Sequence, residues 1–315
     1  MLLSNKKNVL ALLLSVCVSL GALADDGGSF NLMGAGARDL ALAGAAHLHD
    51  AGLEALFLQP ASLTSVTGLE TGLFIQRYGS DLPLSQGTIA IALGSGERMP
   101  LDGRYRGDSE IAIGAAFQYL GATLADDTTW GEWTLTTSAA WSPLRWVAVG
   151  GRASFSGGGS EDDEDRGGAF AMDLGMRLRV LHPGLEAGIL LKNFYHRFSW
   201  VEGSDYRRQS TTVFNLAFGG FELPLIPGDW RLEGRASQHL SSMESFGAGL
   251  EWGLFDGLAT LRGGMMAWRQ GETRNFPTFG FGFNTGVYQL DYGFSPDVDG
   301  GMAARHRFSL TRRGS

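Results

Sequence analysis

Eight charged residues occupy alternate positions in strand-like stretches: Arg152, Asp173, Arg177, Arg179, Lys192, Arg231, Glu233 and Arg235. Charges confined to one face of such stretches have two uses. They can guide an anionic ligand such as a fatty acid carboxylate, or pair with one another in a wet interior; the sequence leaves both open. The run Asp162, Asp163, Glu164, Asp165 offers oxygen ligands for a divalent cation but lacks calcium-loop spacing, so it reads as a solvated acidic loop. His47 and His49 alternate, yet further ligands are missing nearby and no metal site is predicted. "GSGERMPLDG" lacks the Gly-Lys-Ser/Thr of a phosphate loop. No Ser-His-Asp or paired-carboxylate spacing is present. The expectation is neither an enzyme nor a cofactor protein.

The elements that carry these charges have a period of two. In "AFAMDLGMRLRV", Phe170, Met172, Leu174, Met176, Leu178 and Val180 point one way, and Ala171, Asp173, Gly175, Arg177 and Arg179 the other. "DWRLEGRASQ" sets Trp230, Leu232 and Ala236 against Arg231, Glu233 and Arg235, and "SFGAGLEWGLF" sets Phe246, Leu250 and Trp252 against Gly247, Gly249 and Glu251. About 14 such segments are predicted, near 69–79, 86–94, 109–120, 132–142, 145–156, 168–180, 185–194, 210–222, 229–240, 245–254, 257–268, 277–285, 287–295 and 304–312. Most have the roughly 9–11 residues that a tilted strand needs to cross a bilayer. Connections after even-numbered segments are mostly short ("SPLR", "LHPG", "FDG", "NTG"), whereas "GGGSEDDEDRGG" and "FYHRFSWVEGSDYRRQ" follow odd ones. Short turns at one rim and long loops at the other predict an all-β transmembrane antiparallel barrel. The long 94–108 connection breaks that parity. A soluble sandwich or propeller also alternates, but no blade-length repeat is visible and its strands would not need so many outward aromatics.

Lys6 and Lys7 precede an apolar run from Val9 to Leu23, and Ala22-Leu23-Ala24 has the form of a signal peptidase site, so 1–24 is predicted to be a cleaved leader. The only cysteine, Cys17, lies in that leader, which leaves no thiol for a disulfide or a metal. Without the two leader lysines, 33 acidic groups face 23 basic ones, a net charge of −10 that excludes nucleic acid as a natural partner. Residues 25–66 form an appendage rich in Gly, Ala and Leu, and 67–315 the barrel. Within the appendage, "LEALFLQPASL" reads as a small apolar helix. Leu53, Leu56 and Phe57 share a face, Asp50 is placed as its N-cap, and Pro60 ends it by forcing Gln59 out of the helical region. Such a segment is best buried inside the barrel, as a small N-terminal helical hatch in the lumen. Gly247, Gly249, Gly253, Gly280, Gly282 and Gly293 either make room for it or permit curvature.

The stretch "GAGARDLALAGAAHLHDAGLEALFLQPASL" resembles the amino-terminal signature of the FadL-type outer-membrane superfamily, in its PorV/PorQ-like branch. Gly36-Ala37-Arg38, Ala41-Leu42, Gly44-Ala45, Asp50, Ala55-Leu56-Phe57 and Pro60-Ala61 fall in the family's order, and "YQLDYGFSP" with "RHRFSL" resembles its carboxyl end. The resemblance implies a 14-stranded barrel plugged by a hatch. Two departures are Gln59 for the usual Asn and Ser62 for the usual Gly, which imply a looser hatch turn or one capped by Ser62. Past the basic pair near the C-terminus no aromatic ends the chain, so Phe308 and Leu310 must carry the assembly signal. The implied partners are outer-membrane lipids and either hydrophobic small molecules or, as for a PorV-like component of type IX secretion, secreted proteins and secretion subunits.

Overall fold

The computed structural model describes residues 36–49, 51–78, 85–96, 109–123, 129–160, 167–179, 184–200, 210–223, 226–239, 242–270, 272–296 and 304–314. Its alternating stretches form fourteen strands: β1 (Gly68–Tyr78), β2 (Ser85–Gly94), β3 (Ile111–Thr123), β4 (Thr129–Leu144), β5 (Val147–Ser160), β6 (Gly167–Arg179), β7 (Leu185–Trp200), β8 (Thr211–Leu223), β9 (Ile226–His239), β10 (Ser242–Leu254), β11 (Ala259–Gln270), β12 (Glu272–Asn284), β13 (Tyr288–Ser295) and β14 (Arg305–Arg313). Each pairs antiparallel with its sequence neighbours. β1 also pairs with β14, from Glu70 opposite Arg313 to Tyr78 opposite Arg305, so the sheet closes into a barrel and no edge is left.

The two faces of the wall obey opposite solvents. On β2, Ile89, Ile91 and Leu93 stand outward while Gln86, Thr88, Ala90 and Ala92 are buried inside. Leu174, Leu232, Phe279, Phe281 and Phe283 continue the outer apolar surface on later strands. Trp141, Trp146, Phe255 and Tyr288 ring the short-turn rim, and Tyr119 and Trp133 stand near the other. A monomer in water does not carry such a belt, whereas a bilayer-spanning barrel requires it. Phe308 and Leu310 lie on this belt at the closing seam, opposite Ile75 and Leu73.

Strand ends differ from the sequence reading mainly at one rim. β5 and β6 run on into "GGGSEDDEDRGG", where Gly157 and Gly158 pair with Gly168 and Gly167. Backbone hydrogen bonds extend a ladder whether or not lipid remains beside it. The acidic run Asp162 to Asp165 falls outside the described residues. β7 likewise continues through the expected loop to Trp200, past a bulge opposite Asp173. At the same rim only 240–241 and 271 separate β9 from β10 and β11 from β12, so the expected contrast in loop length is weaker than the sequence suggested. The Asp256-Gly257 hairpin forms as expected, with Phe255, Asp256 and Gly257 all at positive φ.

The base of the parity-breaking 94–108 connection has a definite task. The Ser109 N–H donates to the Thr64 carbonyl (2.7 Å) and its Oγ to the Val66 carbonyl (2.5 Å), fastening the chain just before β1. Residues 97–108 lie outside the described set. The facing of the wall predicts that Leu174→Arg, on the lipid side near mid-strand, destabilises the barrel by about 2–4 kcal/mol in refolding titrations. A loss near zero would place that residue away from hydrocarbon.

Candidate functional site

Residues 36–49 and 51–67 lie within the lumen. They comprise α1 (Ala37–Ala41), a 3-10 turn at Gly52–Leu56 and a second at Pro60–Ser65. The predicted apolar helix is therefore corrected in form. It is a single 3-10 turn, and the α-helix lies earlier. Gly52 sits at φ +51°, in the left-handed region, so the chain cannot extend the turn backward as a regular helix. Asp50, the proposed N-cap, lies outside the described residues, and the turn has no side-chain cap. Gln59 is extended, as the residue before a proline must be, but the first turn has already closed at Leu56, and Pro60 begins the second.

Neither departure from the family signature acts as a cap. The Gln59 side chain instead donates to the carbonyl of Ile189 (3.0 Å) on β7, gripping the barrel wall. Ser62 Oγ donates to the His47 carbonyl (2.7 Å), tying the second turn to the strand of chain after α1. Leu53 and Leu56 are fully buried as expected, but Phe57 is only half-buried, edge-on to Phe74 with ring centroids 5.9 Å apart.

The inward glycines are set by this segment. A Cβ on Gly247 would sit 2.3 Å from the Ala43 carbonyl oxygen, on Gly249 2.8 Å from Leu42 Cα, on Gly280 2.4 Å from Ala41 Cβ and on Gly293 2.3 Å from the Ala37 oxygen. Gly150 on β5 yields in the same way to Pro60 and Ala61. Gly253 and Gly282 meet only wall residues, so room for the segment explains four of the six named in the sequence.

The lumen has two unlike walls. On β2, β3 and β4 the inward residues Ala90, Ala92, Ala112, Ala116 and Ala140, with Phe74 of β1, pack against Leu53, Leu56, Leu63 and Val66. On β9 to β14 the inward glycines and hydroxyls are interleaved with buried charges. Arg38 of α1 pairs with Glu233 and donates from Nε to Glu251 (3.0 Å); Arg262 joins Glu251 (2.6 Å) to Asp291 (2.7 Å); Arg231 reaches Glu251 (3.3 Å) and Asp229 (3.1 Å). Arg307 pairs with Gln76 and donates to the Gly36 carbonyl (3.2 Å). Beneath Arg38 this wall lines an open cavity of about 830 Å³ that reaches the turns between β8 and β9, β10 and β11, and β12 and β13.

The charges singled out in the sequence do face the lumen, and they are engaged with one another and with the segment. Arg152 pairs with Asp173 and donates to the Leu56 carbonyl (3.2 Å); Asp173 also accepts the Asn193 N–H at the β7 bulge (2.6 Å). Arg177 donates to Thr64 Oγ1 (3.1 Å), Arg235 reaches the Gly44 carbonyl (3.5 Å) and Arg179 pairs with Glu186 (3.3 Å). His47 is held neutral, well below its ordinary range, by burial and then by Arg235, Arg152 and Lys192. Sequence reasoning missed Glu54, Arg262, Asp291 and Arg307 as parts of this network. Arg38 and Glu251 were visible, one in the family signature and one on the inward face of β10, but nothing in the sequence shows that they meet.

Two groups of α1 and the first turn carry the local electrostatics. Burial opposes charge on Arg38, but Glu251 and Glu233 outweigh it and hold the guanidinium more firmly protonated than usual. Glu54 sits over Gly36 and accepts the Asp39 N–H (3.2 Å); burial, then Asp39 and Asp291, raise its pKa to about 8. Among the described residues no cluster of three or more His, Cys, Asp or Glu is placed to hold a metal ion.

No family model and no curated protein matches this sequence. Solved structures do. The toluene transporter TodX of Pseudomonas putida superposes with a TM-score of 0.62 over 90% of this chain and 99% of its own, at 10% identity. The monoaromatic hydrocarbon channel CymD gives 0.58 (91% and 99% covered, 13% identity) and a Pseudomonas aeruginosa FadL homologue 0.54 (88% and 97%, 11% identity). CdiB from Acinetobacter baumannii also aligns, at a TM-score of 0.46 and with this chain spanning 60% of its length, too loosely to carry an argument. The fold is that of the FadL-type barrels.

Two outcomes follow from the buried groups. Leu56→Ala should cost about 2–5 kcal/mol, and more than Phe57→Ala, because only Leu56 is wholly enclosed; differential protease protection of the N-terminal segment measures both. Glu54 is protonated in the folded state and ionised in the unfolded chain between pH 4.5 and about 8, so its contribution is complete at low pH and fades as pH rises through 8. Glu54→Gln should flatten that decline, as followed by thermal unfolding between pH 5 and 9.

Proposed function

We propose that this chain is an outer-membrane barrel that binds and passes hydrophobic small molecules, and that residues 25–66 are its hatch. The observation that carries the proposal is the two-faced lumen. The segment crosses the bore beside a charged wall, yet on β2 to β4 it packs against alanines. A hydrophobic solute competes well for such a surface and poorly for the charged wall opposite, where every contact costs desolvation. The likeness in fold to a toluene transporter and to a monoaromatic hydrocarbon channel supports the same reading. Entry to the outer membrane follows cleavage of the leader at 1–24, and outer-membrane lipids cover the apolar belt.

In this reading the lumen charges, Lys192 among them, hold the hatch rather than guide a carboxylate. Asp50, Leu56, Phe57, Gln59 and Pro60 shape it. Placement in the PorV/PorQ-like branch, and with it a protein-secretion role, rests on the resemblance of the two chain ends to that branch. Transport is favoured because the alanine wall offers a solute path.

The test is uptake of radiolabelled toluene by cells whose outer membrane carries the full chain. Expected is entry several-fold faster than in cells with empty vector, with the protein recovered in outer-membrane fractions; equal entry at confirmed surface levels overturns the proposal. The hatch itself is tested in planar bilayers. Arg38→Ala takes from Glu233 its ion-pair partner and leaves Glu251 to Arg262 and Arg231, a loss of about 3–5 kcal/mol for a broken buried pair, so channel conductance should rise.

A further inference from the structure

Just above the alanine wall, toward the rim away from the chain termini, three inward side chains keep polar atoms without a hydrogen-bond partner. Gln86 on β2 is 98% buried, and neither its amide oxygen nor its nitrogen is bonded. Thr88 Oγ1, two residues along the same face, is equally buried and unpartnered. Gln76 on β1 stands opposite Gln86 in the ladder; its oxygen is taken by Arg307, but its Nε2 is unpartnered. Orphans of this kind are rare singly, because each one costs the desolvation of a polar group. Here three side chains on adjacent strands share one patch, with cross-strand neighbours close enough for one small group to touch both.

The chemistry of the patch is specific. It presents two amide N–H donors, one amide acceptor and one hydroxyl, and it has no free charge, since Arg307 is engaged by Gln76, by the Gly36 carbonyl and by Asp39 at 3.8 Å. Phe74 lies inward on β1 opposite Thr88, edge-on to the half-buried Phe57. We propose that Gln76, Gln86 and Thr88 form a binding site for the neutral polar head of an amphipathic solute, a hydroxyl or primary carboxamide, whose apolar body rests against Phe74 and Phe57. The inference deepens the transport reading and rests on it. Within the hydrophobic class it selects phenols, alcohols and amides over bare hydrocarbons and over carboxylates. A bare hydrocarbon leaves the orphaned amide unpaired, and a carboxylate would meet only Arg307, whose guanidinium is already shared by Gln76, the Gly36 carbonyl and Asp39.

The experiment titrates the full-length barrel in detergent with three matched probes, 4-fluorophenol, fluorobenzene and 4-fluorobenzoate, read by fluorine NMR against empty micelles. Wild-type protein should bind the phenol at least five- to tenfold more tightly than either other probe, in keeping with one or two neutral hydrogen bonds. Gln86→Leu combined with Thr88→Val should abolish that preference while leaving fluorobenzene binding unchanged or stronger; retained fluorobenzene binding also shows that the variant is folded. Gln86→Glu, of nearly the same shape, should turn 4-fluorobenzoate away further. Equal binding of phenol and fluorobenzene by the wild type, or a preference that survives the double substitution, overturns the site but leaves passage of hydrophobic solutes standing. Binding of none of the probes, together with unaccelerated toluene uptake, removes both.

Discussion

The interior of this barrel depends on an ionic constraint. Arg38, on a five-residue helix, is shared by Glu233 and Glu251, carboxylates buried in neighbouring strands of the wall. Ions out of water are tolerated only with their partners in place, and removing one partner costs far more than the pair contributes. The short helix is thereby fixed at one depth and one rotation in the lumen. Gly247, Gly249, Gly280 and Gly293 can be glycine only because its backbone always passes there, and they must be glycine for the same reason. The wall and its contents specify each other.

The opposite wall works on another principle. Between the two 3-10 turns and β2 to β4 the contact is alkyl against alkyl, with alanine as the commonest wall residue. Dispersion and exclusion of water hold that surface, and neither has direction. One side of the segment is thus held by ion pairs of fixed geometry and the other mainly by apolar packing, with Ser109 bonding Thr64 and Val66 at its margin.

The barrel was readable because period-two alternation is dictated locally: Leu174 and Asp173 announce their faces from their own side chains. Strand number, facing and closure all follow from that signal. The ends of β5, β6 and β7 were not readable, since ladders beyond the membrane are held by backbone groups that every sequence possesses. Within the lumen, the burial of Leu53 and Leu56 was legible from their spacing, whereas their 3-10 form depended on Gly52 at positive φ, which sequence spacing does not reveal. The ion pairs were illegible for a different reason. Arg38 and Glu251 lie 213 positions apart, and only barrel closure makes them neighbours. The roles of Gln59 and Ser62 were inverted for the same cause: judged against the adjacent chain they are poor or good caps, but their partners are Ile189 and His47.

The closing seam gives the molecule an order of events. The Ala37 N–H, at the beginning of the described chain, donates to Ser309 Oγ on β14, 272 residues later, and Arg307 of the same strand reaches back to Gly36. Residues that precede every strand therefore receive bonds from the fourteenth. Contacts of such sequence separation form late, after the loop between them has been organised by shorter-range pairing. A chain cut short before β14 would carry a lumenal segment with nowhere to finish docking and a β1 edge with no mate. Completeness is checked by the architecture itself: the same strand that zips the cylinder also certifies its contents.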